Sequence, residues 1–192
     1  MSSDLILASA SPRRAELLRQ IGVRFSVQTA DVLEIYRPGE RPEDYVCRLS
    51  EAKARALAAS VSLPVLGADT VVVCDGQVLE KPRDAEHAQA MLLRLANRRH
   101  QVMTGVALVD QARIEQRVVV TEVAFGPISP QQAAAYWHTG EPADKAGGYG
   151  IQGLAAVFVE RIEGSFSNVV GLPLYETAQL LRAFAVPTGV VG

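Results

Sequence analysis

The chain has 192 residues, a mass of 20.6 kDa and a formal net charge of −2. Hydrophobic residues at 48% and charged residues at 21% exclude low complexity and bulk disorder. The small negative charge excludes a global pull toward nucleic acid or anionic lipid. No apolar run approaches the roughly 20 residues of a membrane span, and Met1 to Asp4 carry no basic region of the kind that opens a secretory leader. Two cysteines, Cys47 and Cys74, are too few for a disulfide scaffold and point to the reducing cytoplasm.

Leu5 to Ala8 reads as a short buried strand. Ser11 caps a first helix from Pro12 to about Ile21, and Gly22 stops it. Pro42 opens a second helix to about Ala59, with Glu43 and Asp44 in its first turn. Pro64 to Val73 is a strand that turns back through Asp75-Gly76 into residues 77–79. Asp84 caps a third helix ending near Asn97, and long strands follow over 101–109 and 114–125. Ser129 and Gln132 have capping-box spacing at the start of a helix that Gly140 ends. After a glycine-rich loop over 146–153, Ala156 to Ile162 reads as a strand and Pro173 opens a final helix to about Ala185. Strands alternating with helices, plus at least two hairpins, predict an α/β fold with a mixed sheet. Residues 1–186 form one domain and 187–192 a frayed tail.

Four constellations carry possible chemistry. Ser9-Ala10-Ser11-Pro12-Arg13-Arg14 ends a strand and opens a helix with two arginines. Cations at a helix N-terminus are unfavourable unless an anion balances them, which suits a phosphate; the alternative is a capped helix with solvated arginines. Lys53 falls, at about 100° per residue, inside the apolar arc of the second helix. It either meets a buried partner or snorkels past the core edge. Asp69 interrupts the apolar strand Leu66-Gly67-Ala68-Asp69-Thr70-Val71-Val72-Val73. A buried carboxylate persists through a metal, a catalytic role or a structural ion pair, and Gly67 and Ala68 leave room beside it for a ligand. Lys81 is held at a strand end by Pro82. Lys145 precedes the loop Ala146-Gly147-Gly148-Tyr149-Gly150-Ile151-Gln152-Gly153, which allows close backbone approach but matches neither a Walker loop nor a dinucleotide fingerprint. Of 19 basic residues only Lys53, Lys81 and Lys145 are lysines, and all three fall in these motifs. His87, His100 and His138 share no metal-ligand spacing. Cations gathered with one inward carboxylate describe a site for a polyphosphate and a divalent metal.

Leu7-Ala8-Ser9-Ala10-Ser11-Pro12-Arg13-Arg14-Ala15-Glu16-Leu17-Leu18 resembles the opening motif of the Maf family of nucleoside triphosphate pyrophosphatases. Gly67 to Val72, Glu80-Lys81-Pro82, Asp144 to Gly153 and Gly164 to Pro173 resemble its remaining motifs, in order, and the match spans Leu5 to about Phe184. The resemblance implies a cytoplasmic enzyme, often a homodimer, that cleaves a nucleoside triphosphate to the monophosphate and pyrophosphate with a divalent cation, Mg2+ or Mn2+. The acidic balance, the absence of a basic stripe and the absence of an apolar span predict no membrane binding and no stable nucleic-acid binding. The resemblance also implies a fold like that of inosine triphosphate pyrophosphatases, an elongated mixed sheet with flanking helices and two lobes around a cleft. Asp69 matches the family's proton acceptor, and Ser9, Arg13, Arg14, Glu34, Lys53 and Lys81 match other active-site positions. Glu34 comes from the resemblance alone; with Asp69 it is the expected metal ligand. Arg13, Thr70 and Gln152 match the subgroup acting on dTTP and UTP, whereas the subgroup acting on 7-methyl-GTP carries tryptophan, glutamine and glutamate there. A neutral amide at Gln152 can pair with the carbonyl and N3–H of uracil or thymine, while Arg13 repels a cationic methylated guanine. Members of the family are also linked to septum inhibition, so a non-enzymatic nucleotide-binding regulator of division is the alternative.

Overall fold

A computed structural model of the protein describes residues 3–189. Its strands are β1 (Leu5–Ala8), β2 (Phe25–Gln28), β3 (Val65–Cys74), β4 (Gln77–Leu79), β5 (Arg99–Val109), β6 (Ile114–Phe125) and β7 (Val159–Glu163). Its helices are α1 (Pro12–Gln20), α2 (Pro42–Ala58), α3 (Ala85–Leu95), α4 (Pro130–Trp137), α5 (Phe166–Val170) and α6 (Leu174–Ala183). Among the described residues the strands form one sheet in the order β2-β1-β3-β5-β6-β7, with β4 paired to β3. β1 runs parallel to β2 and to β3, while the β3–β4 and β6–β7 pairs are antiparallel. The fold is therefore mixed α/β, as the alternation of elements predicts.

The local signals act as their chemistry requires. The Ser11 hydroxyl accepts from the Arg14 N–H at 3.4 Å, Pro12 occupies the first turn of α1, and Gly22 follows the helix at φ +71°. The β3–β4 turn needs left-handed backbone at both corner residues, and Asp75 (φ 51°) and Gly76 (φ 73°) supply it. The Ser129–Gln132 capping box opens α4.

The chain divides into two compact units. The first comprises residues 1–69, 104–119 and 171–192, described from residue 3 to residue 189. Its core joins Ile6, Ala8 and Val65 of the parallel strands to Ala54 and Ala58 of α2 and to Ala107 and Val109 of β5. Two glycines let α2 lie flush on the sheet. An alanine Cβ at Gly67 would stand 2.1 Å from the Ser50 carbonyl oxygen, and one at Gly105 would stand 2.3 Å from that of Val46. The room beside Asp69 that the sequence suggests for a ligand at Gly67 is thus filled by the α2 backbone.

The second unit comprises residues 70–103 and 120–170. Its core is aromatic: His100, Phe125 and Tyr149 meet edge to face with ring centroids 4.8–5.4 Å apart, and Phe158 lies tilted against Phe125 and edge to face with Tyr136. Three short 3-10 turns, Glu141–Asp144, Ala146–Gly148 and Leu154–Phe158, occupy the glycine-rich region. The strand expected over 156–162 is accordingly displaced. Residues 154–158 are 3-10, and β7 begins only at Val159, where its ladder with β6 starts. Residues 190–192 of the expected frayed tail lie outside the described residues, and the N–H of Gly189 donates to the Ile21 carbonyl. No described helix is long and apolar enough to cross a membrane.

Candidate active site

Asp69 is the first residue to explain. It lies in β3 with a burial pattern of apolar neighbours on both sides, and it is 6% exposed. Lys53 of α2 is 8% exposed and donates from Nζ to Asp69 Oδ1 at 2.6 Å. The lysine on the apolar arc does not snorkel: the close approach of α2 at Gly67 seats its ammonium against the one carboxylate of the strand. The same Nζ lies 2.7 Å from Glu34 Oε1, so two carboxylates converge on one cation.

Glu34 sits in the loop between β2 and α2, with its side chain about half exposed. That loop is tied to α2 by Arg48, which pairs bidentately with Glu40 at 2.7 Å and donates to the Ile35 carbonyl, and by packing of Tyr36 against Tyr45. The sequence around Glu34 has no capping, periodic or glycine signal, and this long-range tether explains why residue reasoning alone does not find it.

At the start of α1 the buried Ser9 hydroxyl accepts from the Ser11 N–H at 3.2 Å and from Arg14 Nη1 at 3.1 Å. Arg14 Nε donates to the Gly171 carbonyl at 2.9 Å, which fixes the guanidinium plane. Burial pushes the Arg14 guanidinium below its ordinary value, opposed by Asp69 and Glu34 and reinforced by Arg13. Burial pushes the Asp69 carboxyl above its ordinary value, against the pull of Lys53 and Arg14, and Glu34 adds to the rise. Lys53 and Arg14 thus act on the two carboxylates, and Arg13 lies near enough to Arg14 to lower it further, so the cations here outnumber the acids, as suits phosphate.

In the second unit, Lys81 and Gln152 are exposed and Lys145 is half-buried. Thr70 follows Asp69 on the opposite face of β3 and is half-buried. The segment bearing Lys81 and the glycine-rich loop are brought together: the Gly147 N–H donates to the Glu80 carbonyl at 3.1 Å. Lys145 Nζ donates to Asp144 Oδ1 at 2.6 Å and to the Glu141 carbonyl at 2.7 Å. Three of the loop glycines, Gly147, Gly150 and Gly153, are closely approached by the protein's own side chains. A Cβ at Gly147 would meet the Val72 side chain at 2.9 Å, one at Gly150 the Lys145 stem at 2.8 Å, and one at Gly153 the Glu141 carboxylate at 2.2 Å. Glu141 is a residue that sequence reasoning misses, because an acid just after a helix stop reads as ordinary surface charge.

The donor chemistry fits a hard divalent cation. Asp69 and Glu34 both reach the Lys53 ammonium and so lie close together, and Mg2+ or Mn2+ commonly uses one or two carboxylates with the rest of its shell from water and substrate phosphate. Among the described residues no cluster of three or more His, Cys, Asp or Glu could hold a metal without such help.

Known proteins resemble this chain over nearly its whole length. A protein of Saccharophagus degradans named dTTP/UTP pyrophosphatase is 58% identical across 97% of this chain and 91% of its own. Proteins of the same name from Vibrio cholerae and Escherichia coli O157:H7 are 55% and 53% identical, each across 95% of this chain and 98% and 93% of their own. A solved nucleoside-triphosphatase / dITP/XTP pyrophosphatase from Mycobacterium abscessus aligns over 94% of both chains at 18% identity, with a TM-score of 0.45. The family described as Maf-like protein matches residues 4–184, a span that takes in the start of α1, Asp69, Lys81 and the glycine-rich loop. The chain belongs to the Maf family.

Proposed function

We propose that the protein hydrolyses dTTP and UTP to the nucleoside monophosphate and pyrophosphate. The observation that carries the reading is the buried Asp69 carboxylate, ion-paired to Lys53 and joined by Glu34, in a chain whose relatives at 53–58% identity bear the name dTTP/UTP pyrophosphatase. Water adds to the α-phosphorus, the bond from that phosphorus to the α,β-bridging oxygen breaks, and pyrophosphate leaves with the electron pair. Asp69 orients the water and takes its proton. Burial raises the basicity of this carboxyl, and Lys53 holds Oδ1 so that the other oxygen is aimed. Glu34, with Asp69 where it serves as ligand instead of base, would hold Mg2+ or Mn2+, which when bound neutralises phosphate charge. Arg13, Arg14 and Lys53 bind phosphate oxygens, and Ser9 fixes the guanidinium of Arg14. Lys81 and Lys145 add phosphate-binding charge. Thr70 and Gln152 serve substrate selection, with Gln152 pairing to the carbonyl and N3–H of uracil or thymine.

A nucleotide panel assayed for pyrophosphate release with Mg2+ or Mn2+ tests the reading. UTP and dTTP should be the best substrates, with CTP and 7-methyl-GTP poor. Tight nucleotide binding without turnover would instead support a non-enzymatic regulator. Equal kcat/KM for UTP and 7-methyl-GTP would remove the base assignment and leave the pyrophosphatase assignment standing.

A further inference from the structure

The segment that carries Gln152 is a tight turn with both ends pinned. The Gly150 carbonyl accepts from the Gly153 N–H at 3.0 Å, Ile151 is buried, and Gln152 projects outward. Two side chains from outside the turn fix its flanks. Tyr136, at the end of α4, accepts the Gly150 N–H at 3.1 Å. Its hydroxyl donates to Glu141 Oε1 at 2.6 Å. The other carboxylate oxygen of Glu141 accepts the Leu154 N–H at 2.9 Å, and the Ala155 N–H also donates to this carboxylate. Backbone donors on both sides of Gln152 are therefore held by one Tyr–Glu pair.

The packing is as tight as the hydrogen bonding. A Cβ at Gly153 would fall 2.2 Å from Glu141 Oε2 and one at Gly150 would meet the Lys145 stem and, at 3.2 Å, Glu141 Oε1, so either would displace the side chains that hold the turn. Glu141 is itself set by the helix stop before it, with Gly140 at φ +76° and the Glu141 N–H donating to Thr139 Oγ1 at 3.2 Å. Burial would raise the Glu141 carboxyl, but the donors that converge on it and the nearby Lys145 hold it below its ordinary value, so it stays an acceptor on both oxygens.

We propose that Glu141, keyed by Tyr136, is a positioning residue for pyrimidine selectivity: it clamps the 150–155 backbone so that the Gln152 amide is presented in one orientation. The inference rests on the reading that Gln152 pairs with the base. Glutamate is the side chain the geometry needs. Three donors meet its two oxygens, whereas a glutamine would turn an NH2 group onto one of those donors and leave it unpaired. The clamp touches no reacting atom, so it acts on how well the base is held and not on the chemical step.

The experiment measures kcat and KM for UTP and for GTP in the unmodified protein, Glu141→Gln, Tyr136→Phe, Gln152→Ala and the double variant Glu141→Gln/Gln152→Ala, with circular dichroism to confirm folding. Glu141→Gln should raise KM for UTP about tenfold, the equivalent of one good hydrogen bond, with kcat within about threefold. The UTP-over-GTP preference should fall by a similar factor. Tyr136→Phe removes the hydroxyl and nothing else, and should shift the preference in the same direction if Glu141→Gln does not fold. In the Gln152→Ala background, Glu141→Gln should leave the preference unchanged, because the clamp then has nothing to present. If Gln152→Ala collapses the preference and neither clamp variant alters it, the proposal is overturned and the base reading survives. If Glu141→Gln lowers the preference as much without Gln152 as with it, the clamp acts by some other route and the proposal is again overturned. If Gln152→Ala leaves the preference intact, the base reading fails and the clamp's role fails with it.

Discussion

Replacing Lys53 by methionine removes the cation and keeps most of the buried stem. Asp69, 6% exposed, then loses its hydrogen-bonded partner at 2.6 Å and remains a buried charge. Breaking a buried pair from one side costs about 3–5 kcal/mol, which in a chain of this size lowers Tm by about 10 °C. Asp69→Asn should cost distinctly less, because Lys53 keeps Glu34 at 2.7 Å on a partly exposed side chain. The double variant Lys53→Met/Asp69→Asn should recover most of the loss, since no buried charge is left without a counterpart. The penalty of Lys53→Met should also shrink in mild acid. Burial already raises the Asp69 carboxyl, removing Lys53 raises it further, and protonation then discharges the group that makes the variant unstable. Denaturant titrations of the metal-free proteins at neutral and mildly acidic pH measure all of this. Additive losses in the double variant, or a larger loss for Asp69→Asn than for Lys53→Met, would show that the pair is not the buried unit described above.

Asp69→Asn keeps the shape and removes the base, so turnover should fall about 10²–10³-fold; near-normal turnover at saturating metal would refute the assigned role. Gln152→Glu should cost UTP activity about tenfold in kcat/KM, because an acceptor-only side chain faces a pyrimidine carbonyl, and a steady-state comparison with UTP reads it directly. Gly67→Ala should destabilise by about 1–3 kcal/mol and slow turnover, as a Cβ 2.1 Å from the Ser50 carbonyl oxygen must push α2, and Lys53 with it, off the sheet; an unchanged denaturation midpoint would contradict that packing. His100, 3% exposed and 2.8 Å from the Tyr149 hydroxyl, is held by burial at about 4 against an ordinary 6.5. Its contribution to stability is fully present above pH 6.5 and is lost as pH falls toward 4, because the unfolded chain takes up the proton first. The loss totals about 3 kcal/mol. His100→Phe should flatten that part of the stability–pH curve.

Much of this molecule is written locally. Ser11-Pro12, the Ser129–Gln132 box, Asp75-Gly76 and the glycine after α1 act over a few residues, so a short stretch of sequence states the helix ends and the hairpin. Asp69 is legible for a different reason: a carboxylate within an apolar strand is too costly to be idle, and the structure supplies its counter-charge in the lysine that helical periodicity turns inward. Sequence says less where an element owes its form to a distant partner. β2 is a four-residue edge strand, half exposed, that exists through its parallel ladder to β1. α5 is five residues long and opens with the Asn168 N–H donating to Ser165 Oγ, while its buried Asn168 amide donates to the Val102 carbonyl and to Thr121. Neither has enough residues to show a period. The glycines mislead for a related cause. Glycine reports that something comes close, and only the tertiary structure decides that at Gly67 it is the α2 backbone and at Gly153 the Glu141 carboxylate. The same holds for Glu34 and Glu141, whose roles rest on contacts across 19 and 13 positions of the chain, to Lys53 and to Leu154. A carboxylate's neighbours in sequence set its cost, but its partners are chosen by packing.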